Sequence, residues 1–267
     1  MSQKRTIFFV SDGTGITAET LAHGLLSQFE SIKFREKRFP FLDTVEKAEA
    51  CVKRIAEVAV EDGVRPLVVL TLMNPEIGTV IRQADALFLD LFEAFIVPME
   101  QELGVKSSHT VGRSHGQVNR EYAKRIAAVN FALAHDDGVT DNDLKNADVI
   151  LVGVSRSGKT PTSLYLSLQF SLKAANYPLI PEDFERGHLP DRLMPYRAKL
   201  FGLTITPEQL SLIRQERKPN SRYASLENCR KEVEAAERMM RRANISWIDT
   251  TSRSIEEIAV KLIQTIR

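Results

Sequence analysis

The sequence predicts an α/β protein built from parallel sheets flanked by helices, and three observations carry that reading. Short apolar, β-branched runs alternate with segments of helical periodicity along the whole chain. Two runs, residues 66–72 (PLVVLTL) and 147–154 (ADVILVGV), are continuous apolar stretches suited to strands buried on both faces. Two runs end directly in glycine-containing turns that open helices, as in β–α–β units.

In order along the chain, residues 6–10 are a β-branched and aromatic run closed by Ser11-Asp12-Gly13-Thr14-Gly15. Residues 16–29 follow, with Ile16, Leu21, Leu25, Leu26 and Phe29 at near-helical spacing. Residues 32–39 read as a second strand. Residues 44–60 read as a helix, with Val45, Ala48, Val52, Ile55, Ala56 and Ala59 on one stripe and Asp62-Gly63 as its stop. After the third strand, 66–72, the pattern predicts a helix over 75–92 and a short strand over 95–97. Residues 106–117 (KSSHTVGRSHGQ) are a polar loop, and 120–135 a helix stopped by Asp136-Asp137-Gly138. The seam falls at 141–146. It separates an N-terminal Rossmann-like half, residues 1–145, from a C-terminal P-loop kinase-like half, residues 146–267.

The second half opens with the strand at 147–154 and a helix over 162–174, where Leu164, Leu168 and Leu172 recur every fourth residue. A strand at 176–180 leads into a proline-rich irregular excursion over 178–195. A strand at 199–205, a helix at 207–217 and a long charged helix at 226–244 follow. The charge run at 238–242 reads as a solvated helix face. A last strand at 245–250 and a closing helix at 254–266 end the chain, with Ser254 and Glu257 spaced as a capping box.

Composition narrows the function. Among 267 residues, 36 basic and 35 acidic side chains leave a net charge of +1, so charge gives no argument for a nucleic-acid partner. Hydrophobic residues at 43% and charged residues at 27% exclude a disordered chain, a collagen and a membrane bundle. Cys51 and Cys229 match no zinc spacing and read as buried thiols of a reducing compartment. The apolar run 7–10 is too short for a secretion signal or a membrane span, so a cytoplasmic protein without a membrane partner is expected. The oligomeric state stays open, a homodimer among the options.

Chemistry concentrates in Gly153-Val154-Ser155-Arg156-Ser157-Gly158-Lys159-Thr160, a full GxxxxGK[ST] match between a buried strand and a periodic helix. Glycines let backbone N–H groups curl around phosphate oxygens, and the helix N-terminus adds unpaired donors. Lys159 supplies a mobile cation, and the Thr160 hydroxyl is the expected Mg²⁺ ligand. Arg156 and Ser157 inside the loop offer a second cation and a hydroxyl. Pro161 sits in the first helical turn, where its missing N–H costs little.

Other candidates carry two readings each. Ser11, Asp12, Gly13 and Thr14 form either a second anion site or a plain βα turn in which Asp12 bonds nearby backbone N–H groups. Asp136 and Asp137 are either a Mg²⁺ and proton-accepting pair or the polar cap of a helix. Arg113, His115 and Arg120 either bind an anionic substrate or are solvated. Asp249, at the end of an apolar strand, has the setting of a Walker B acid, a setting that many short strands share.

The ordered set of motifs identifies a family. FFVSDGTGITAETL (8–21), GVRPLV (63–68), RIAAVNFALAHDDG (125–138), GVSRSGKTPTSLYL (153–166), AANYPLI (174–180), KLFGLTI (199–205), NSRYASLENCRKEV (220–233) and WIDTT (247–251) run from end to end. The chain resembles the bacterial phosphoenolpyruvate synthase regulatory proteins, among the wider regulators of pyruvate dikinases; the segments after Lys173 favour the synthase branch over pyruvate, phosphate dikinase. The resemblance implies a bifunctional enzyme. One activity is a serine/threonine kinase with ADP as donor, which inactivates the dikinase by phosphorylating an active-site threonine. The other removes that phosphate by phosphorolysis, with inorganic phosphate as acceptor and pyrophosphate as product. Joined to the residues, this places ADP on Gly153 to Thr160 and Lys159 on the transferred charge. Asp136 or Asp137 becomes the proton acceptor. Ser11, Asp12, Gly13, Thr14, Arg113 and His115 hold phosphate or the target. Readings of other classes are an ATP-dependent small-molecule P-loop kinase and a non-catalytic nucleotide sensor.

Overall fold

The computed structural model describes residues 4–108, 118–136 and 143–266. The chain divides into two compact units, residues 1–116 and 117–267. The division falls earlier than the seam at 141–146. Helix α5 (Val118–Ala134) packs on elements of the second unit, a tertiary preference that a composition shift does not register.

The first unit contains β1 (Lys4–Ser11), α1 (Ile16–Leu26), β2 (Lys33–Phe39), α2 (Val45–Asp62), β3 (Leu67–Thr71), α3 (Pro75–Ile81), β4 (Leu87–Asp90) and α4 (Leu91–Leu103). Its four strands are all parallel, in the order β2-β1-β3-β4. This is the 2-1-3-4 variant of the doubly wound arrangement. Alternate side chains of β1 enter two cores. Phe8 and Val10 meet Cys51, Ile55 and Val58 of α2 on one face, and Ile7 and Phe9 meet Ala18 and Ala22 of α1 on the other. Thr44 caps α2, its side chain accepting from the Lys47 amide, and Gly63 in the left-handed region ends it.

Residues 75–103 depart from the predicted helix 75–92 and strand 95–97. Helix α3 stops at Ile81, and 87–90 pairs with β3 as an edge strand. The Asp90 carboxylate then accepts from the Phe92 and Glu93 amides and starts α4, which absorbs residues 95–97 and carries Pro98 internally. A four-residue edge strand is specified by its neighbour more than by its own sequence. A firm N-cap overrides the β-propensity of Phe95-Ile96-Val97.

The second unit runs α5, β5 (Val149–Val154), α6 (Lys159–Phe170), β6 (Ala174–Leu179), α7 (Pro181–Arg186), β7 (Leu200–Thr204), α8 (Pro207–Arg217), α9 (Leu226–Arg242), β8 (Trp247–Asp249) and α10 (Ile255–Ile266). Its sheet is again all parallel, in the order β6-β5-β7-β8. Numbered within the unit, that too is 2-1-3-4. Ile150, Val152 and Val154 face Cys229, Val233, Ala236 and Met240 of α9. Val149 and Leu151 face Leu166 of α6 and Ile258 and Leu262 of α10. The excursion over 178–195 contains α7 and the start of a 3₁₀ segment, Asp191–Lys199. Ser254 and Glu257 form the reciprocal bonds of a capping box. Among the described residues, no helix is long and apolar enough to cross a membrane.

Candidate active site

The GxxxxGK[ST] segment forms the turn from β5 into α6, with α6 beginning at Lys159. Two of its glycines are required by geometry. A Cβ on Gly153 would lie 2.2 Å from the Leu203 carbonyl oxygen of β7, so the loop passes closer to the neighbouring strand than any side chain permits. Gly158 has φ of 87°, in the left-handed region, and turns the chain into the helix. Arg156 also adopts positive φ, 75°, and is exposed. Lys159 is buried, and its Nζ donates to the Val154 carbonyl at 2.7 Å, folded back along its own loop. Ser157 is 1% exposed, and its Oγ is buried without a hydrogen-bond partner.

The first residue of the dyad Asp136-Asp137 lies beside the loop. It arrives from the C-terminus of α5, which is tied to β6 because the Asn176 amide donates to the His135 carbonyl at 2.9 Å. Thr160 Oγ1 donates to Asp136 Oδ1 at 2.9 Å. Asn176 Nδ2 donates to the same oxygen at 2.5 Å and lies 2.9 Å from Thr160 Oγ1. Asn176 is 2% exposed, and its Oδ1 is buried without a partner. A hydroxyl and a carboxylate oxygen thus meet at the mouth of α6, hard donors of the kind Mg²⁺ takes when phosphates complete its shell, and the Asn176 amide nitrogen holds both. Asp137, Arg113 and His115 lie outside the described residues.

A second group of residues holds the loop from the side. Arg214 of α8 is fully buried and donates to the Ser155 carbonyl at 3.1 Å, the Tyr223 carbonyl at 3.1 Å and Glu232 Oε2 at 2.7 Å. Its guanidinium lies 4.1 Å from the centre of the Tyr223 ring. The Tyr223 hydroxyl is 3.1 Å from Ser155 Oγ. Sequence reasoning did not single out Arg214, Tyr223, Glu232 or Asn176 as site residues. Asn176, Tyr223 and Glu232 lie in the segments 174–180 and 220–233, while Arg214 lies in no motif singled out from the sequence; their place beside the loop becomes visible only in the fold.

The loop borders a cavity of about 750 Å³, a volume in the range of small-ligand and cofactor sites. Asp136, Ser155, Arg156, Lys159, Thr160 and Asn176 line it together with Ile213, Arg217, Lys218 and Tyr223. All of them belong to the second unit.

The turn 11–15 connects β1 to α1 in the first unit. Ser11 Oγ donates to the Thr71 carbonyl and accepts from the Gly13 amide. Asp12 Oδ2 accepts from the Met73 amide at 2.6 Å. These side chains join the ends of β1 and β3; the partner of Asp12 is a distant amide and not one of its own turn, and Thr14 is exposed at the tip. Asp249 caps its own turn, with Oδ1 accepting from the Thr251 amide and hydroxyl, and does not line the cavity. Both thiols are buried: burial pushes Cys51 up to about 12, and it raises Cys229 as well.

The model of the kinase/pyrophosphorylase family matches residues 7–263. The chain belongs to the kinase/pyrophosphorylase family. Its relatives include a protein of Aromatoleum aromaticum, 64% identical over 265 residues that cover 98% of this chain and 96% of that protein. A protein of an Azoarcus species is 62% identical with the same coverage, and one of Bordetella parapertussis is 58% identical over 264 residues, 98% and 96% of the two chains. Each bears the name "Putative phosphoenolpyruvate synthase regulatory protein". The family resemblance read from the ordered motifs is borne out across nearly the full chain.

Proposed function

We propose that this protein regulates phosphoenolpyruvate synthase as an ADP-dependent serine/threonine kinase and a phosphate-dependent, pyrophosphate-forming phosphorylase. The observation that carries the reading is the meeting of Lys159, Thr160, Asp136 and Asn176 in one cavity of a chain from the kinase/pyrophosphorylase family. The names of the relatives support the target.

In the kinase direction the loop 153–160 holds the diphosphate tail of ADP through its backbone N–H groups. Lys159 Nζ leaves the Val154 carbonyl and pairs with the β-phosphate, where charge develops during transfer. The threonine oxygen of the target forms the new bond to the β-phosphorus as the bond to the α-phosphate oxygen breaks, and AMP departs. The hydroxyl proton passes to Asp136, whose Oδ1 is held by Thr160 and Asn176. In the reverse direction an inorganic phosphate oxygen attacks the phosphothreonine phosphorus, pyrophosphate forms and Asp136 returns the proton to the departing oxygen. Thr160 and Asp136 fit a Mg²⁺ ion, which would supply charge neutralisation on the phosphates. No covalent enzyme intermediate is required.

The deciding experiment offers β-labelled ADP or γ-labelled ATP to the purified protein with purified phosphoenolpyruvate synthase. Label on a synthase threonine from ADP alone, released as pyrophosphate when phosphate is added, is the expected result. Transfer from ATP to a metabolite, or nucleotide binding with no transfer at all, would replace this reading with a small-molecule kinase or a sensor.

A further inference from the structure

Besides Arg156 of the loop itself, the cavity contains two cations that the mechanism above does not use. Arg217, the last residue of α8, and Lys218, which caps it, both line the cavity. Both are exposed, and neither side chain makes an ion pair or hydrogen bond among the described residues. A cation in the last turn of a helix interacts favourably with the helix dipole, but that requires no cavity. The place they occupy is the informative part. Arg217 stands three residues after Arg214 and four after Ile213, in the last turn of α8, and Lys218 is the residue that ends the helix, with non-helical backbone. Arg214 pins the helix to the loop through the Ser155 carbonyl, and Ile213 lines the cavity. The two unpaired charges therefore border the same cavity as Lys159.

We propose that Arg217 and Lys218 form an anion subsite, distinct from the one that holds the nucleotide's diphosphate tail, for a phosphate dianion. That dianion is inorganic phosphate or the phosphorylated side chain of the protein target. Two adjacent like charges with no counter-ion gain from an anion, and the arginine fork suits bidentate contact with phosphate oxygens. This inference rests on the phosphate-transfer reading of the cavity and adds where the second phosphate-bearing group sits.

The test is the double variant Arg217→Ala/Lys218→Ala, which is expected to fold because both side chains are exposed. Calorimetry with ADP should give a dissociation constant within about threefold of the parent. Equilibrium dialysis of labelled inorganic phosphate at saturating ADP should show at least a tenfold loss of affinity. In phosphorylase assays, a tenfold rise in KM for phosphate alone identifies free phosphate as the occupant, and a rise in KM for the phosphorylated synthase alone identifies the phosphorylated side chain. A tenfold loss of ADP affinity overturns the proposal, because the cations then serve the nucleotide. Unchanged phosphate dialysis also overturns it. Should the parent protein transfer no phosphate at all, the regulatory reading falls, and the dialysis still decides the subsite.

Discussion

Lys159 is buried beside the loop with its ammonium on the Val154 carbonyl, a contact that a phosphate would replace under the proposed function. Replacing Lys159 with Ala should slow phosphate transfer by roughly 10²- to 10³-fold while leaving the thermal unfolding transition nearly unchanged. Labelled-ADP assays and calorimetric melting check both halves of that statement. Asn176 donates to both Asp136 and Thr160, and under the proposed mechanism it orients them. Asn176→Ala should lower the rate about 10- to 100-fold, as the loss of a supporting hydrogen bond around a metal or acid typically does. Asn176→Asp places a second carboxylate against Asp136. Its activity should be low at neutral pH and rise as the pH falls, the reverse of a purely structural defect. Gly153 is legible from the motif, but the reason only glycine fits there, the Leu203 carbonyl of another strand, is not.

At the scale of elements, α8 and α9 determine how firmly the loop is held. The Arg214–Glu232 pair at 2.7 Å is buried on the arginine side and has three backbone or side-chain bonds beyond it. Arg214→Ala strands Glu232 and should destabilise the protein by about 3–5 kcal/mol in denaturant titrations. Arg214→Lys keeps the charge but lacks the planar fork, so it should fold and bind ADP more weakly. The end of α4 offers a pH test in the first unit. The Ser107 amide donates to Glu100 at 2.7 Å and Lys106 lies 3.0 Å away, which together hold the carboxyl at about 2, below its ordinary 4.5. The ionised form is the one favoured by folding. Its contribution to the 104–108 turn is present above pH 4.5 and disappears as the pH falls toward 2. The Ser107 amide resonance should titrate with a midpoint near 2, and Glu100→Gln should abolish that titration; a midpoint at 4.5 contradicts the assignment.

For the whole molecule, two units carry the same strand order, yet the cavity and its lining belong to the second alone. A fragment spanning residues 117–267 should therefore fold and bind ADP within a few-fold of the full chain, measured by circular dichroism and calorimetry. One beginning at 146 should not, because it lacks α5 and with it Asp136. The first unit's turn 11–15 occupies the place topologically equivalent to the loop. Its hydroxyl and carboxylate are engaged in joining β1 to β3.

The α/β class, most strands and helices, and the loop 153–160 were legible in the chain's residue order. Those depend on local signals: apolar periodicity, caps, and glycines at fixed offsets, which act over a few residues. The family was legible for the same reason, since its motifs are contiguous. The rest came from the folded chain. It divided the chain before α5, made 87–90 a strand because β3 lies beside it, and delivered Asp136 to Thr160 from a helix end. It set Arg214, Tyr223 and Glu232 behind the loop. Each of those outcomes joins residues far apart in the chain, and the energy that fixes them lies in packing and buried hydrogen bonds, which no local pattern encodes.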